Sequence, residues 1–275
     1  MSALQNKYRL LQDLLRSYGK VAIAYSGGVD SSLLSYVAHE ALGDDAVSLT
    51  ADAPVVPRSE FADSRAFCKR YGIRQAICHP NPFTNEEVRF NAPNRCYTCK
   101  KVIFGSLFEE AAKLGIETIA DGSNLDDLGD YRPGLKALEE LQVKSPLREA
   151  GFTKADIRAL SLELGLSTWN KQSNACLATR FPYGTEITAE KLSLVEKAES
   201  ALAGMGFTQL RVRVHNDIAR IEVPAEQMKT LLRDENRTSI VDALKELGFA
   251  YVTLDLAGYR TGSMNEKLGT VPSNA

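Results

Sequence analysis

KVAIAYSGGVDSSLLSYVAHEALG, residues 20–43, decides the fold. Its first six residues are a short apolar run, and Leu34, Val37, Ala38 and Ala41 then recur on one helical face that stops at Gly43. Between strand and helix stand Ser26, Gly27, Gly28, Val29, Asp30, Ser31 and Ser32. Two glycines let a backbone approach a ligand closely. Serine hydroxyls, amide N–H groups and a helix N-terminus together favour an anion. This is the chemistry of a phosphate cradle. It differs from the common NTPase loop, since no G-x-x-x-x-G-K-[ST] occurs, and the chain has no G-x-G-x-x-G dinucleotide fingerprint. The competing reading is an ordinary tight turn capped by Ser31.

The same alternation extends outward. Residues 4–18 carry Leu4, Leu11, Leu14, Leu15 and Tyr18 at helical spacing before Gly19. Downstream, the patterns predict strands at 46–50, 75–78 and 118–120 and helices at 59–71 and 97–114. Strands and helices taking turns mark a parallel sheet flanked by helices, and ligands of such sheets sit beyond the carboxyl ends of the strands. The loops SGGVDSS, ADAP and ADGSN and the CYTC region all fall there. After about residue 166 the rhythm changes. A loop leads to a helix with Val195, Ala198, Leu202 and Met205 in register, and TQLRVRV then reads as a half-buried strand with Arg211 and Arg213 on its other face. A turn at His215, Asn216 and Asp217, a second strand, a helical stretch broken near 234–238 and a strand at 251–256 complete a smaller α+β domain. The expected organisation is an α/β domain over 1–166, an α+β domain over 167–262 and a loose tail over 263–275.

The chain's 275 residues suffice for one large domain or two ordinary ones. Basic and acidic residues nearly balance, 33 against 35, which argues against a nucleic-acid scaffold. No apolar run approaches a membrane span, and the N-terminal residues lack the uninterrupted apolar segment of a signal peptide. Five cysteines at positions 68, 78, 96, 99 and 176 form no disulfide framework, so a reducing cytoplasm is expected. Three histidines without H-E-x-x-H or G-x-S-x-G give little support to a zinc protease or a hydrolase triad.

SGGVDSS resembles the PP-loop of the ATP pyrophosphatases, enzymes of the adenine nucleotide alpha hydrolase-like fold that adenylate a substrate and release pyrophosphate. More specifically, Asp121 and Gly122, the run Asp130, Tyr131, Arg132, Pro133 and Gly134, the stretch NACLATRFPYG (174–184) and RVRVHNDIARIE (211–222) resemble the LarE-type sulfur transferases of nickel-pincer nucleotide biosynthesis. The likeness runs nearly end to end. It implies an ATP-dependent, AMP-forming enzyme that uses Mg2+, with Ser26, Gly27, Gly28, Asp30, Ser31 and Ser32 on the pyrophosphate and Asp30 near the metal. Asp121, Gly122, Asp130 and Arg132 would complete the nucleotide pocket. Arg211 and Arg213, with Glu199 beside them, would hold the phosphate of a small-molecule mononucleotide, pyridinium-3,5-biscarboxylic acid mononucleotide. A homo-oligomer is also implied.

An acyl adenylate needs a readily ionised nucleophile, and Cys176 is the natural one, with Arg180 or Lys171 available to stabilise a thiolate. Cys68 and Cys78 suit buried apolar positions better. In the resembled family the equivalent cysteine surrenders its own sulfur. RCYTCK adds a C-x-x-C pair, Cys96 and Cys99, open to redox, zinc or iron–sulfur roles. With Cys176 it could carry a [4Fe-4S] cluster whose open iron binds hydrosulfide, and this scheme is preferred over sacrifice; zinc with His79 ranks lower. The alternatives are a tRNA thiolase, an amide-forming synthetase of the same loop class, and a non-catalytic ATP-sensing module.

Overall fold

The computed structural model describes residues 2–129, 133–172 and 174–260. The expected tail at 263–275 lies outside them. In chain order the elements are α1 (Ala3–Tyr18), β1 (Val21–Ala24), α2 (Val29–Leu42), β2 (Ala46–Ala51), α3 (Arg58–Arg70), β3 (Gln75–Cys78), α4 (Glu86–Arg89), α5 (Arg95–Lys113), β4 (Thr118–Ala120), α6 (Pro133–Glu140), α7 (Pro146–Glu149), α8 (Lys154–Glu163), α9 (Ala189–Gly204), β5 (Arg211–His215), β6 (Ile218–Glu222), α10 (Ala225–Leu231), α11 (Asp234–Glu246) and β7 (Tyr251–Leu254).

The chain forms two compact units. The first comprises Met1–Asn85 and Asn94–Asn174, the second Glu86–Pro93 and Ala175–Ala275. In the first unit four parallel strands run in the order β3-β2-β1-β4. Alternation along the strands sorts the core onto two faces. Val21, Ile23 and Tyr25 pack with buried residues of α1, α2 and α8, whereas Ala22, Val47 and Leu49 pack with Phe104, Leu107 and Ala111 of α5. From β1 the chain steps outward to β2 and β3, then returns to place β4 on the opposite side of β1. That reversal opens the sheet between the carboxyl ends of β1 and β4, the usual ligand crevice of such folds.

In the second unit β5 and β6 form an antiparallel hairpin, and β7 joins β6 in parallel after α10 and α11. Asn216, at φ 56°, takes the left-handed conformation that a tight hairpin turn requires. The division differs from the expected 166/167 boundary. Residues 167–174 stay with the first unit because Ser167 N–H donates to Tyr71 Oη and Lys171 Nζ pairs with Glu60 and Asp63 at 2.7 and 3.0 Å. Residues 86–93 join the second because the fully buried Asn91 side chain donates to the Phe181 and Pro182 carbonyls, at 2.9 and 2.7 Å. Burying an amide so deeply is tolerable only with such partners.

Candidate active site

The β1 ladder continues one residue past the strand, with Tyr25 N–H donating to Leu49 O at 2.8 Å, before the chain turns at Ser26. Gly27 adopts φ 77°, and a Cβ there would lie 3.2 Å from Ser64 Cβ. Both facts demand glycine. Gly28 is the N-cap of α2 and caps with no side chain. The first-turn N–H groups of α2 therefore have no intrahelical acceptor and gather at the positive end of the helix dipole. Ser26 Oγ and Ser31 Oγ lie 3.1 Å apart beside them, and Ser31 Oγ also accepts from Ser26 N–H at 3.3 Å. Ser32 behaves otherwise. It is fully buried, with Oγ against Tyr25 Oη and its N–H donated to Gly28 O, which leaves it outside the anion-facing set.

Across the crevice the β4 loop closes on this helix end. A Cβ on Gly122 would sit 3.0 Å from Ser31 N and 3.2 Å from Asp30 Cβ, so only glycine permits the approach. Asp121, expected to touch nucleotide, is buried and saturated. It accepts from Ser145 Oγ at 2.8 Å, Ser123 Oγ at 2.5 Å and Ser123 N–H at 3.3 Å, and thereby pins the loop. Asp126 and Asp127 also act as loop clamps, the first accepting from Lys154 N–H at 2.7 Å and the second from Asn124 N–H at 2.9 Å. Asp130 and Arg132 lie outside the described residues. Asp30 accepts from Asn124 Nδ2 at 3.4 Å and forms an ion pair with Lys154 Nζ. Sequence reasoning passed over Lys154 and Asn124. The available sign was the capping box of Thr153 and Asp156, which starts α8 and puts a lysine at the helix end where a cation is least favoured.

A divalent cation and the phosphates it accompanies fit this crevice. Glycine-lined backbone, free helix N–H groups and one carboxylate in the first turn supply the donor set that a metal–phosphate complex needs.

In the second unit, Cys176 begins a 3-10 turn, Leu177–Arg180. Its carbonyl accepts from Thr179 N–H, Thr179 Oγ1 and Arg180 Nη1 at 3.1, 2.9 and 3.1 Å. Arg180 is 1% exposed and faces Glu199 through two bonds of 2.9 Å. Glu199 Oε1 accepts from Val212 N–H as well, at 2.9 Å. Arg180 and Glu199 thus form a clamp between α9, β5 and the cysteine turn. Lys171, the other cation considered for Cys176, is committed to Glu60 and Asp63 of the first unit.

Arg211 and Arg213 are buried, contrary to the half-buried strand expected of TQLRVRV. The β5 face they share is covered by the 175–181 segment and Tyr259: Arg213 Nη1 donates to Thr179 O, and Arg211 stacks 5.2 Å from the Tyr259 ring. Arg213 also lies opposite Arg220 in the hairpin. The buried Glu222 relieves that repulsion, with two 3.0 Å bonds from Arg213 and one of 3.0 Å from Arg220. Burial, reinforced by Arg180 and Arg213 nearby, lowers the pKa of the Arg211 guanidinium. A cation held at such a cost is stabilised by an arriving anion.

The remaining cysteines separate by environment. Burial pushes the thiol of Cys68 up to about 12 and that of Cys78 up to about 11. Cys96 and Cys99 stand one turn apart at the start of α5, exposed and half-buried. His79 lies 3.4 Å from Asp52. Among the described residues no group of three or more His, Cys, Asp or Glu is gathered for a metal ion.

No family model matches the chain. It is 38% identical over 269 residues to the pyridinium-3,5-bisthiocarboxylic acid mononucleotide synthase of Lactiplantibacillus plantarum, a match covering 98% of this chain and 97% of that protein. The chain belongs to the LarE-type family of ATP-dependent sulfur transferases. An uncharacterized protein of Synechocystis is 41% identical over 96% of this chain and 99% of its own length. A tRNA-specific 2-thiouridylase of Clostridium botulinum matches more remotely, 28% identical over 56% of this chain and 54% of its own. For this LarE-type protein, thiol reactivity is the direct check on which sulfur atoms are chemically accessible. At about pH 8 an alkylating reagent is expected to leave Cys68 and Cys78 unmodified and to label Cys176, as read by peptide mass; labelling of Cys68 at the rate of Cys176 would contradict the burial argument.

Proposed function

We propose that the protein converts carboxylates of pyridinium-3,5-biscarboxylic acid mononucleotide to thiocarboxylates through an acyl adenylate. The observation that carries this reading is the cradle of Gly27, Gly28 and the α2 N-terminus facing Gly122 at the sheet's reversal point, in a chain similar over nearly its whole length to a synthase of the bisthiocarboxylic product. A carboxylate oxygen of the substrate attacks the α-phosphorus of ATP, the bond to the bridging oxygen breaks, and pyrophosphate leaves. Ser26, Ser31 and the α2 N–H groups bind the departing phosphates, and Asp30 is the residue that would hold Mg2+, which when bound would neutralise charge on them. Arg211 and Arg213 take the substrate's own phosphate in a buried cationic site, where Glu222 fixes the Arg213 fork.

Cys176 supplies the sulfur step. Its thiolate attacks the adenylate carbonyl, AMP leaves, and a thioester forms. Cleavage of the Cβ–S bond, with loss of the Cα proton, then frees the thiocarboxylate and leaves dehydroalanine. The i,i+3 pair of Cys96 and Cys99 favours a second reading, in which these thiols and Cys176 are ligands of a [4Fe-4S] cluster that would bind and deliver sulfide. Among the described residues no helix is long and apolar enough to cross a membrane. Five free cysteines favour a reducing compartment, and we place the reaction in the cytoplasm on that ground.

Intact mass after a single turnover, read beside iron content from an anaerobic preparation, separates the schemes. Loss of one hydrogen sulfide per chain is the expected result for sacrifice, while unchanged mass with about four irons per chain indicates the cluster. Cys96→Ala should retain one round in the first scheme and none in the second. Hydrolysis of ATP to ADP would overturn the proposal, and stoichiometric ATP binding with no hydrolysis in the presence of any pyridine carboxylate mononucleotide would overturn it in favour of an ATP-sensing module.

A further inference from the structure

The carboxylate of Glu60, in the first turn of α3, divides its two oxygens between residues far along the chain. Oε1 accepts from Asn174 Nδ2 at 2.6 Å, and Oε2 pairs with Lys171 Nζ at 2.7 Å. Asn174 is the last residue of the first unit, and Cys176 follows two positions on. The helix turn that carries Glu60 also backs the phosphate loop, since a Cβ on Gly27 would lie 3.4 Å from Glu60 O and 3.2 Å from Ser64 Cβ. Ser64 is tied to the sheet through Gln75, whose amide donates to Thr50 Oγ1 at 2.8 Å and to Ser64 Oγ at 3.5 Å. Arg158 of α8 donates to the carbonyls of Trp169 and Lys171, both at 2.8 Å, so the backbone is held as far as Lys171 without any help from Glu60. Beyond that point the Glu60 bond to Asn174 takes over.

We infer that Glu60 is a positioning residue of the sulfur step, because by holding Asn174 it fixes the point from which the chain runs to Cys176. The inference rests on the acyl adenylate reading above. A chain reaches at most about 3.5 Å per residue, so a fixed Asn174 confines the Cys176 Cα to within about 7 Å of it, whereas a chain held only at Lys171 lets that atom range to about 17 Å. The volume open to the thiol then grows by up to about an order of magnitude, and its effective concentration at the acyl carbon falls in proportion. The chain also crosses between the units at 85–86 and 93–94, which makes this figure an upper bound. An adenylate that waits for its thiol is open to water, whose attack on the acyl carbon returns the carboxylate and AMP. Glu60 and Asn174 exchange no proton and touch no reacting atom. Their bond is charge-assisted, and Lys171, shared with Asp63, balances the carboxylate.

The test uses the full chain under single-turnover conditions, with protein in excess over pyridinium-3,5-biscarboxylic acid mononucleotide and with ATP and Mg2+ present. The first variant is made at Asn174, because the backbone of Glu60 itself backs Gly27. In Asn174→Asp a second carboxylate faces Glu60 while Lys171 is already committed, and the tether opens. Pyrophosphate release is expected to stay within about twofold of the parent, and thiocarboxylate formation to fall about five- to tenfold, with AMP and recovered carboxylate making up the difference. Glu60→Gln/Asn174→Asp exchanges donor and acceptor and keeps an oxygen for Lys171, so it should return thiocarboxylate formation to within about twofold of the parent, a rescue that general damage to the fold would not allow. Amide hydrogen exchange in the peptide spanning 171–177 of the nucleotide-free protein gives a readout independent of turnover. It should quicken at least about fivefold in Asn174→Asp and revert in the double variant. Thiocarboxylate formation within about twofold of the parent in Asn174→Asp, pyrophosphate release that falls in step with it, or a double variant no better than the single one overturns the inference. Should the parent protein itself yield ADP and phosphate, the adenylation reading has failed separately, and the exchange measurement still decides whether Glu60 tethers the chain before Cys176.

Discussion

Cys176→Ser is expected to leave cleavage of ATP to AMP and pyrophosphate within about threefold of the parent rate while the thiocarboxylate product falls by more than about a thousandfold. The substitution changes one atom. The backbone bonds that shape the turn, from Thr179 and Arg180 to the Cys176 carbonyl, do not involve the side chain. In the proposed mechanism the phosphates of ATP are held by groups of the first unit, whereas sulfur comes from Cys176 or through it. A serine hydroxyl carries no sulfur and is a far weaker nucleophile at neutral pH. Product mass spectrometry beside a pyrophosphate assay measures the two halves in one sample. Continued thiolation by this variant at the parent yield would remove Cys176 from both schemes and transfer the sulfur step to Cys96 and Cys99.

A comparably large effect, on stability, is expected from Glu222→Ala. Glu222 is fully buried and is shared by Arg213 and Arg220, which face each other across the hairpin. Removing it leaves two like charges opposed, one of them in the interior. Breaking a buried pair in this way costs roughly 3–5 kcal/mol, more than swapping the whole network for apolar groups would. For a unit of about a hundred residues, a loss of that size lowers the melting temperature by about 15 °C or more. Glu222→Gln, which keeps an acceptor of the same shape, should lose less. Circular dichroism melts of the three proteins measure this, and a shift under about 3 °C for the alanine variant would show that Arg213 and Arg220 are satisfied elsewhere. Because Glu222 also fixes the Arg213 fork, the surviving folded fraction of Glu222→Ala should show a raised KM for the mononucleotide.

Local chemistry made much of this protein readable in one dimension. The strand, SGGVDSS and the α2 helix follow from an apolar run, two glycines and a 3.6-residue period, each of which acts over a few residues. The parallel sheet follows from alternation, and the hairpin from Asn216 and Asp217. The family was legible in motifs spread across the whole chain. The same reasoning failed where a side chain's partner lies far away in sequence. An alternating RVRV pattern cannot tell a solvent face from a face covered by residues 175–181 and Tyr259, so the arginines looked exposed and were buried. A carboxylate after a strand looks alike whether it awaits a ligand or, as with Asp121, is already saturated by Ser123 and Ser145. The boundary moved for a similar reason, since Asn91 is drawn into the second unit by carbonyls some 90 positions away.

What the sequence determined by itself, then, was the order of elements, the nature of the phosphate loop and the kinship, because these depend on composition and short-range period. Tertiary structure alone decided which charges face each other. Electrostatic partnership depends on distance in space, and 124 residues separate Lys154 from the Asp30 carboxylate it touches.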